Sequence, residues 1–248
     1  MTDEAEPAEG GQDVTPIQLP EEHPAIAPLS FLLGRWRGTG KGDYPTIDAF
    51  DFLQEVTFSH IGKPYLIYTS RSWRLATDEE GQLTRDAQGE LVRVAPLAVE
   101  AGFWRPQPEG KVEVLLSHPT GITEIYAGEF RSLTSIEMVT DAVARTATAK
   151  EYTAGKRLYG LVPSQTREGE KDLAYAFDMA AMGQPLTPHL WAVLQWDWIE
   201  LPSGAQLEDW ALSDHIWAMG TNPAQSSWLL GCWRAGLNVK NPRETPRS

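Results

Sequence analysis

"AFDFLQEVTF", residues 49–58, decides the fold class. Phe50, Phe52, Val56 and Phe58 fall on one parity with Gln54. Aromatic and β-branched residues at period two make a strand with one buried face. The same signature recurs on both sides. "GRWRGTG" (34–40) precedes it, and "PYLIYTSRSW" follows after the turn "HIGKP". "KVEVLLS" puts Val112, Val114 and Leu116 on one face, and "GITEIYAGEF", "SIEMVT", "TATAKEYT", "RLYGLV", "DLAYAFDMA" and "HLWAVLQW" continue the series. Gly, Pro, Ser or Asp separates the segments, and no long helix interrupts them. About ten short strands joined by close turns read as an antiparallel barrel or sandwich. Closed into a barrel, ten strands enclose more room than side chains fill, so a ligand cavity is expected.

Ahead of the strands, "HPAIAPLSFLLG" predicts a brief helix over 26–33, opened by Pro24 and Pro28 and stopped by Gly34. Alternating glycines around Trp36 fit a first strand that must bend, with the indole plugging one end of the barrel. Residues 75–96 are polar and read as a surface loop with a small hairpin. No internal repeat is expected. Residues 1–22 carry seven acids and no Lys or Arg, which predicts a disordered acidic tail. Residues 23–198 form the barrel domain. Seven of the ten tryptophans lie beyond residue 190, which marks 199–248 as a distinct extension with an amphipathic stretch around Trp210 and Trp217. Such an extension could cap the barrel, carry self-association into a homo-oligomer through its tryptophans, or barely fold.

The formal charge of −13 argues against a nucleic-acid partner and against adsorption to an anionic membrane surface. A single cysteine, Cys232, excludes an intrachain disulfide. The acidic start lacks an apolar signal core, and no apolar run reaches the roughly 20 residues of a membrane span. The expectation is a soluble cytoplasmic protein.

Motifs for serine hydrolysis, phosphate binding and dithiol chemistry are missing. The five histidines, His23, His60, His118, His189 and His215, show no metal-chelating spacing. His23 reads as solvated, His118 in "SHPTG" as a turn residue, and His215 lies in the extension. His60 ends a strand and could overhang a barrel mouth. His189 differs from the others. In "QPLTPHL" (184–190), Pro185 and Pro188 fix the backbone just before an apolar strand begins. A histidine there can point into the barrel, although a lone histidine is commonly no more than a hydrogen-bonded residue.

Six segments together resemble the nitrobindins: "HPAIAPLSFLLGRWRGTGKGDYPTI", "EVTFSHIGKPYLIYTSRSW", "GFWRP", "LLSHPTGITEI", "ARTATAKEYTA" and "MAAMGQPLTPHLWAVL". The likeness covers roughly residues 23–197, includes a complete GxWxGxG motif at Gly34–Gly40 and keeps the family's order. Members are haem-binding β-barrels, also described as peroxynitrite isomerases and similar to fatty-acid-binding proteins. The resemblance implies haem b held in a wide cleft, with His189 as the axial iron ligand. It places His60 near the open side of the haem, Lys150 of "TAKE" as a cofactor contact and Thr39 as a pocket residue. It further implies that ferric iron isomerises peroxynitrite to nitrate, that the ferrous form binds nitric oxide, and that no catalytic side chain is needed beyond the iron.

The chain also departs from the family. Ala98 stands where many relatives have histidine, and loop 75–96 is longer than usual. Trp191 shares strand parity with His189 and would stack near the haem or crowd it. From the strands alone, a non-catalytic carrier of a fatty acid or other apolar ligand fits equally well. A nitric oxide sensor is the third alternative.

Overall fold

A computed structural model describes residues 20–197. Nearly all of the acidic tail and the whole extension 199–248, with His215 and Cys232, lie outside the described residues. A 3₁₀ helix, Pro24–Leu32, precedes β1 (Gly34–Tyr44), β2 (Ile47–Ser59), β3 (Leu66–Leu75), β4 (Arg93–Gln107) and β5 (Lys111–His118). Then follow β6 (Ile122–Ser132), β7 (Ser135–Arg145), β8 (Tyr152–Pro163), β9 (Lys171–Ala181) and β10 (Thr187–Asp197). All neighbours are antiparallel, and β1 pairs with both β2 and β10, so the sheet closes into a ten-stranded barrel. Among the described residues, no helix is long and apolar enough to cross a membrane.

The expected number of strands is correct, but two of the expected segments are not. β4 is a full strand that falls partly in the predicted loop. Pro96 and Pro106 disguise it, and its register with β3 slips between Ser72 and Trp73. Conversely, "TATAKEYT" is mostly the turn before β8, and "RLYGLV" is the continuation of that same strand. The two errors cancel in the count.

The loop 76–92 holds a repeat that the sequence reading missed. Asp78-x-x-Gly81-x-Leu83 is followed by Asp86-x-x-Gly89-x-Leu91. Each aspartate Oδ1 accepts two backbone N–H bonds, from Glu80 and Gln82 in one turn and from Gln88 and Glu90 in the other. Each glycine takes a positive φ, 78° and 83°, as tight turns require. The double turn lies outside the barrel wall, tied there by Arg37–Glu90 at 3.1 Å and flanked by Arg93, which stacks on Trp73.

The two ends of the barrel differ. One end, built from the start of β1 and the ends of β2 and β10, is plugged. Ile26, Leu29 and Leu32 of the 3₁₀ helix are fully buried there. The Trp36 indole donates to the Leu32 carbonyl at 2.7 Å, and Trp196 donates to the Leu33 carbonyl at 3.1 Å. These two tryptophans are cross-strand partners, so the expected Trp36 plug is a pair. Gly34, at φ 118°, leaves room for the Trp196 ring where a Cβ would stand. At the opposite end lie the close of β1, β3, β5, β7 and β9 and the start of β2, β4, β6, β8 and β10. Among the described residues, no helix covers that mouth. Beside it, β7 and β8 pair only over Ser135–Val139 with Lys156–Gly160, so their mouth-side halves separate.

Candidate functional site

His189 sits at the open mouth, on the first turn of β10. Pro188 pairs with Asp178 of β9 and Leu190 pairs with Phe177, so His189 is the extra residue of a β-bulge. A bulge re-aims a side chain. Leu190, Ala192, Leu194 and Trp196 already occupy the inward parity, and the bulge turns His189 inward beside them. Its ring meets Tyr44 at 5.5 Å, Phe177 at 6.0 Å and Phe50 at 6.4 Å between centroids, each edge-on.

The protonation state follows from one contact. Nδ1 lies 3.0 Å from the Asp43 carbonyl oxygen. A carbonyl only accepts, so Nδ1 carries the hydrogen and Nε2 keeps its lone pair. Nε2 has no hydrogen-bond partner among the described residues. Burial lowers the pKa of the ring, against a smaller opposing pull from the Asp43 carbonyl, and keeps it neutral. A neutral imidazole, with one nitrogen tied to a backbone carbonyl and the other free, is the arrangement of a metal-ligating histidine. No group of three or more His, Cys, Asp or Glu among the described residues could hold a bare metal ion. One imidazole amid aromatic walls suits instead an iron that brings its other four ligands in a macrocycle.

The bulge also changes the reading of Trp191. Parity with His189 predicted that it would lie near the ligand. Because the bulge breaks the alternation, Trp191 faces outward between Lys41 and Ala176 and is 54% exposed. It neither stacks on the site nor crowds it.

The other expected site residues do not converge with His189. His60 follows β2, whose last turns pair with Gly34 and Ile67, and therefore lies at the plugged end. Its Nδ1 accepts the Gly62 N–H at 3.3 Å, and burial lowers its pKa. About 30 Å of strand separates it from the mouth, at roughly 3.3 Å per residue along β1. Thr39 lies on the outward parity of β1 with Arg37 and Lys41, whose ion pairs with Glu55 and Asp51 run along the outer wall. It does not line the interior. Lys150 is at the correct end, in the loop between β7 and β8, but exposed; its carbonyl accepts from Arg145 at 3.0 Å.

A second constellation escaped the sequence reading. Inside the barrel, beneath the mouth, Arg157 is 1% exposed. Its guanidinium donates twice to Glu100, both at 2.9 Å, and its Nε donates to the Tyr126 hydroxyl at 3.0 Å. Glu124, also 1% exposed, lies 3.4 Å from Arg157 and accepts from the hydroxyls of Tyr126 and Tyr152. The Tyr68 hydroxyl donates to Glu100 at 2.9 Å. His118 Nε2 completes the set, 2.7 Å from Glu124. The signal was available in the sequence: Glu100, Glu124 and Arg157 each fall on the inward parity of a strand, where a charge must have a partner. Arg157 stacks on Phe177 at 4.5 Å, and Phe177 in turn touches His189, so the two groups share a wall.

Comparisons with known proteins agree with this fold. The model of the THAP4-like, heme-binding beta-barrel domain matches residues 25–195. A "Peroxynitrite isomerase" of a Nocardioides species is 51% identical over 180 residues, 72% of this chain and 98% of that protein. A "Ferric nitrobindin-like protein" of Streptomyces griseus is 41% identical over 72% of this chain and 85% of its own length. The crystal structure of Rv2717c from M. tuberculosis superposes with a TM-score of 0.56 at 39% identity, covering 71% of this chain and 99% of that one. The barrel thus accounts for nearly the whole of two of these relatives, and residues 199–248 are additional to it. From Ala25 to Gln195, the chain belongs to the family of THAP4-like, haem-binding β-barrels.

Proposed function

We propose that this protein holds haem b at the open mouth of its barrel through His189 Nε2, and that it isomerises peroxynitrite to nitrate. The observation that carries the ligand assignment is the Asp43 carbonyl at 3.0 Å from Nδ1, which fixes the tautomer and directs the lone pair of Nε2 toward the ligand. The reaction rests on the 51% identity to the Nocardioides peroxynitrite isomerase, with likeness over almost all of that protein. When bound, ferric haem supplies a Lewis-acidic iron with a position open to a small anion. The chain's own residues do the rest. Tyr44, Phe50 and Phe177 clamp the imidazole, burial keeps it unprotonated, and the bulge at Pro188–Leu190 sets its direction. Isomerisation consumes no proton, so the chemistry asks for no dedicated acid–base pair. The ferrous form binds nitric oxide in the same reading.

A carrier of fatty acids would gain nothing from an imidazole fixed in this way. Haemin titration separates the two readings. The wild-type protein develops a sharp Soret band at one equivalent, and His189→Ala weakens haemin binding by about 100-fold or more, since loss of a group that merely orients a metal ligand already costs roughly 10–100-fold. Equal binding by the two proteins overturns the ligand assignment. Stopped-flow decay of peroxynitrite with stoichiometric nitrate tests the reaction.

A further inference from the structure

The outer wall of an antiparallel barrel faces water and alternates toward polar side chains. On β8, β9 and β10 it does not. Leu158, Ala176 and Trp191 are cross-strand neighbours in one row, and Gly160, Ala174 and Val193 form the next. Arg157, Tyr159, Tyr175, Phe177, Ala192 and Leu194, which alternate with them, are buried inside, so these two rows face outward. The alanines of β9 form a floor between Leu158 on one side and Trp191 and Val193 on the other. The result is a shallow apolar groove along β9, whose walls are 41%, 54% and 38% exposed at Leu158, Trp191 and Val193. Polar groups close its two ends. Lys156 pairs with Asp178 toward the mouth, and the Arg167–Asp172 ion pair, at 2.8 Å, lies toward the plug.

The chain itself supplies an occupant of matching chemistry. β10 carries Trp191 and Val193 and ends at Asp197, and the extension that follows holds Trp210, Trp217, Trp228 and Trp233. In the stretch 207–218, Leu207, Trp210, Ala211, Trp217 and Ala218 recur at helical spacing and share one face. Length permits the return. Trp191 lies about 20 Å of strand before Asp197 at roughly 3.3 Å per residue, and residues 198–206 can span about 30 Å. A segment on so short a tether competes at an effective concentration on the order of millimolar, which a second copy of the chain at micromolar concentration does not match. Residues 1–19 contain no aromatic residue and are the weaker candidate. A second apolar strip, Phe103, Leu115 and Ile125, crosses β4, β5 and β6. It stands opposite β10 in the ring, away from the strand that the extension follows.

We propose that residues 207–218 fold back along the outer wall and fill this groove, packing Trp210 and Trp217 against Ala174, Ala176 and Trp191. On a helix the two indoles stand about 10 Å apart. Ala174 to Ala176 covers about 7 Å of strand, so one segment engages both rows of the groove. Docking covers Trp191, the bulkiest exposed apolar side chain of this wall, and gives the barrel a second layer on β8–β10. The inference is independent of the haem reading, because the groove lies on the outer face of the wall whose inner face carries Phe177 and the bulge at His189.

The test is hydroxyl-radical footprinting of the full chain, read residue by residue by mass spectrometry. Trp191 should label slowly in the wild type. In the double variant Trp210→Glu, Trp217→Glu its labelling should rise about fivefold or more, as a covered ring becomes half exposed. These substitutions leave every residue of the barrel unaltered, so the barrel keeps its fold. Trp191→Glu is the reciprocal variant, and it should raise the labelling of Trp210 and Trp217. Phe103, on the far wall, should label alike in all three proteins. Equal labelling of Trp191 in the wild type and the double variant overturns the docking. Protection of Phe103 in place of Trp191 overturns it too, since the extension then covers the other strip. Sedimentation at two concentrations distinguishes the tethered segment from a second copy. Protection that is lost on about tenfold dilution, together with a dimer, belongs to a second copy and overturns the assignment.

Discussion

The two ends of this barrel are made from the same ten strands but solve opposite problems. At the plugged end, Ile26, Leu29, Leu32, Trp36 and Trp196 exclude water, and the polar atoms of both indoles are satisfied by carbonyls at the end of the 3₁₀ helix. At the mouth, buried charge replaces buried hydrocarbon. Arg157, Glu100, Glu124 and His118 stand where a storage barrel could have leucine. Buried ion pairs are weak devices for stability, because desolvation offsets most of their Coulombic gain. They do fix geometry. The comparison therefore separates an end that stabilises from an end that positions.

Two substitutions break the comparison most strongly. Arg157→Leu leaves Glu100 and Glu124 buried without their cation, and removing one partner of such a set costs about 3–5 kcal/mol. Trp36→Ala empties the plug and costs a similar amount, about 3–5 kcal/mol. Urea unfolding would register both losses alike. Haemin titration would not. Trp36→Ala should keep its haemin affinity, since it acts at the far end. Arg157→Leu should weaken haemin binding, because it also releases Phe177 from its stacked position against His189. If both variants lose haemin equally, the two ends are not separable.

A smaller effect concerns acid. The pKa of Glu124 is brought down from 4.5 to about 2. A carboxylate depressed in the folded state contributes stability that is present above its unfolded value and lost as pH falls toward the folded one. The window is therefore pH 4.5 down to about 2, and the loss amounts to about 3 kcal/mol at most. His189 adds a loss of the same sign at higher pH. Its folded pKa lies below 6.5, so the unfolded chain takes up the proton first and stability falls as pH drops beneath 6.5. Urea midpoints measured from pH 7 to pH 3 should show both slopes. Glu124→Gln should flatten the lower one and His189→Ala should reduce the upper, leaving the share that His60 contributes with the same sign.

These ends were not equally legible in the sequence. Period-two alternation exposed most strands, and "GRWRG" exposed the plug, because both rest on local pattern. The place of His189 at the start of a strand was legible through its prolines. Its inward direction came from a bulge, however, and a bulge leaves no mark in the alternation of side chains; the same bulge sent Trp191 outward against its apparent parity. The ends of the barrel at which His60 and His118 lie were not legible. Each sits beside a turn, and only the ring order of the strands tells which turn is at the mouth. The Arg157 cluster was within reach, since three charges lie on buried parities of β4, β6 and β8. Pairing them required contacts between residues 33 and 57 positions apart, which no local window contains.

The double turn over residues 76–92 is the least consequential feature at the mouth end, and it is the sharpest control on what matters there. It lies on the outer face of the wall, bound by exposed or half-exposed ion pairs such as Arg37–Glu90, and pairs of that kind contribute about 0–1 kcal/mol. Asp86→Ala removes the acceptor for the Gln88 and Glu90 amides and should melt the second turn. Those amides are exposed, so water replaces the lost bonds and the cost to global stability stays under about 1 kcal/mol. Hydrogen exchange at Gln88 and Glu90 should accelerate sharply, while haemin affinity remains that of the wild type. A haemin affinity that instead fell with the turn would place the hairpin over the mouth as a functional cover, and the division between an inner positioning face and an inert outer wall would have to be redrawn.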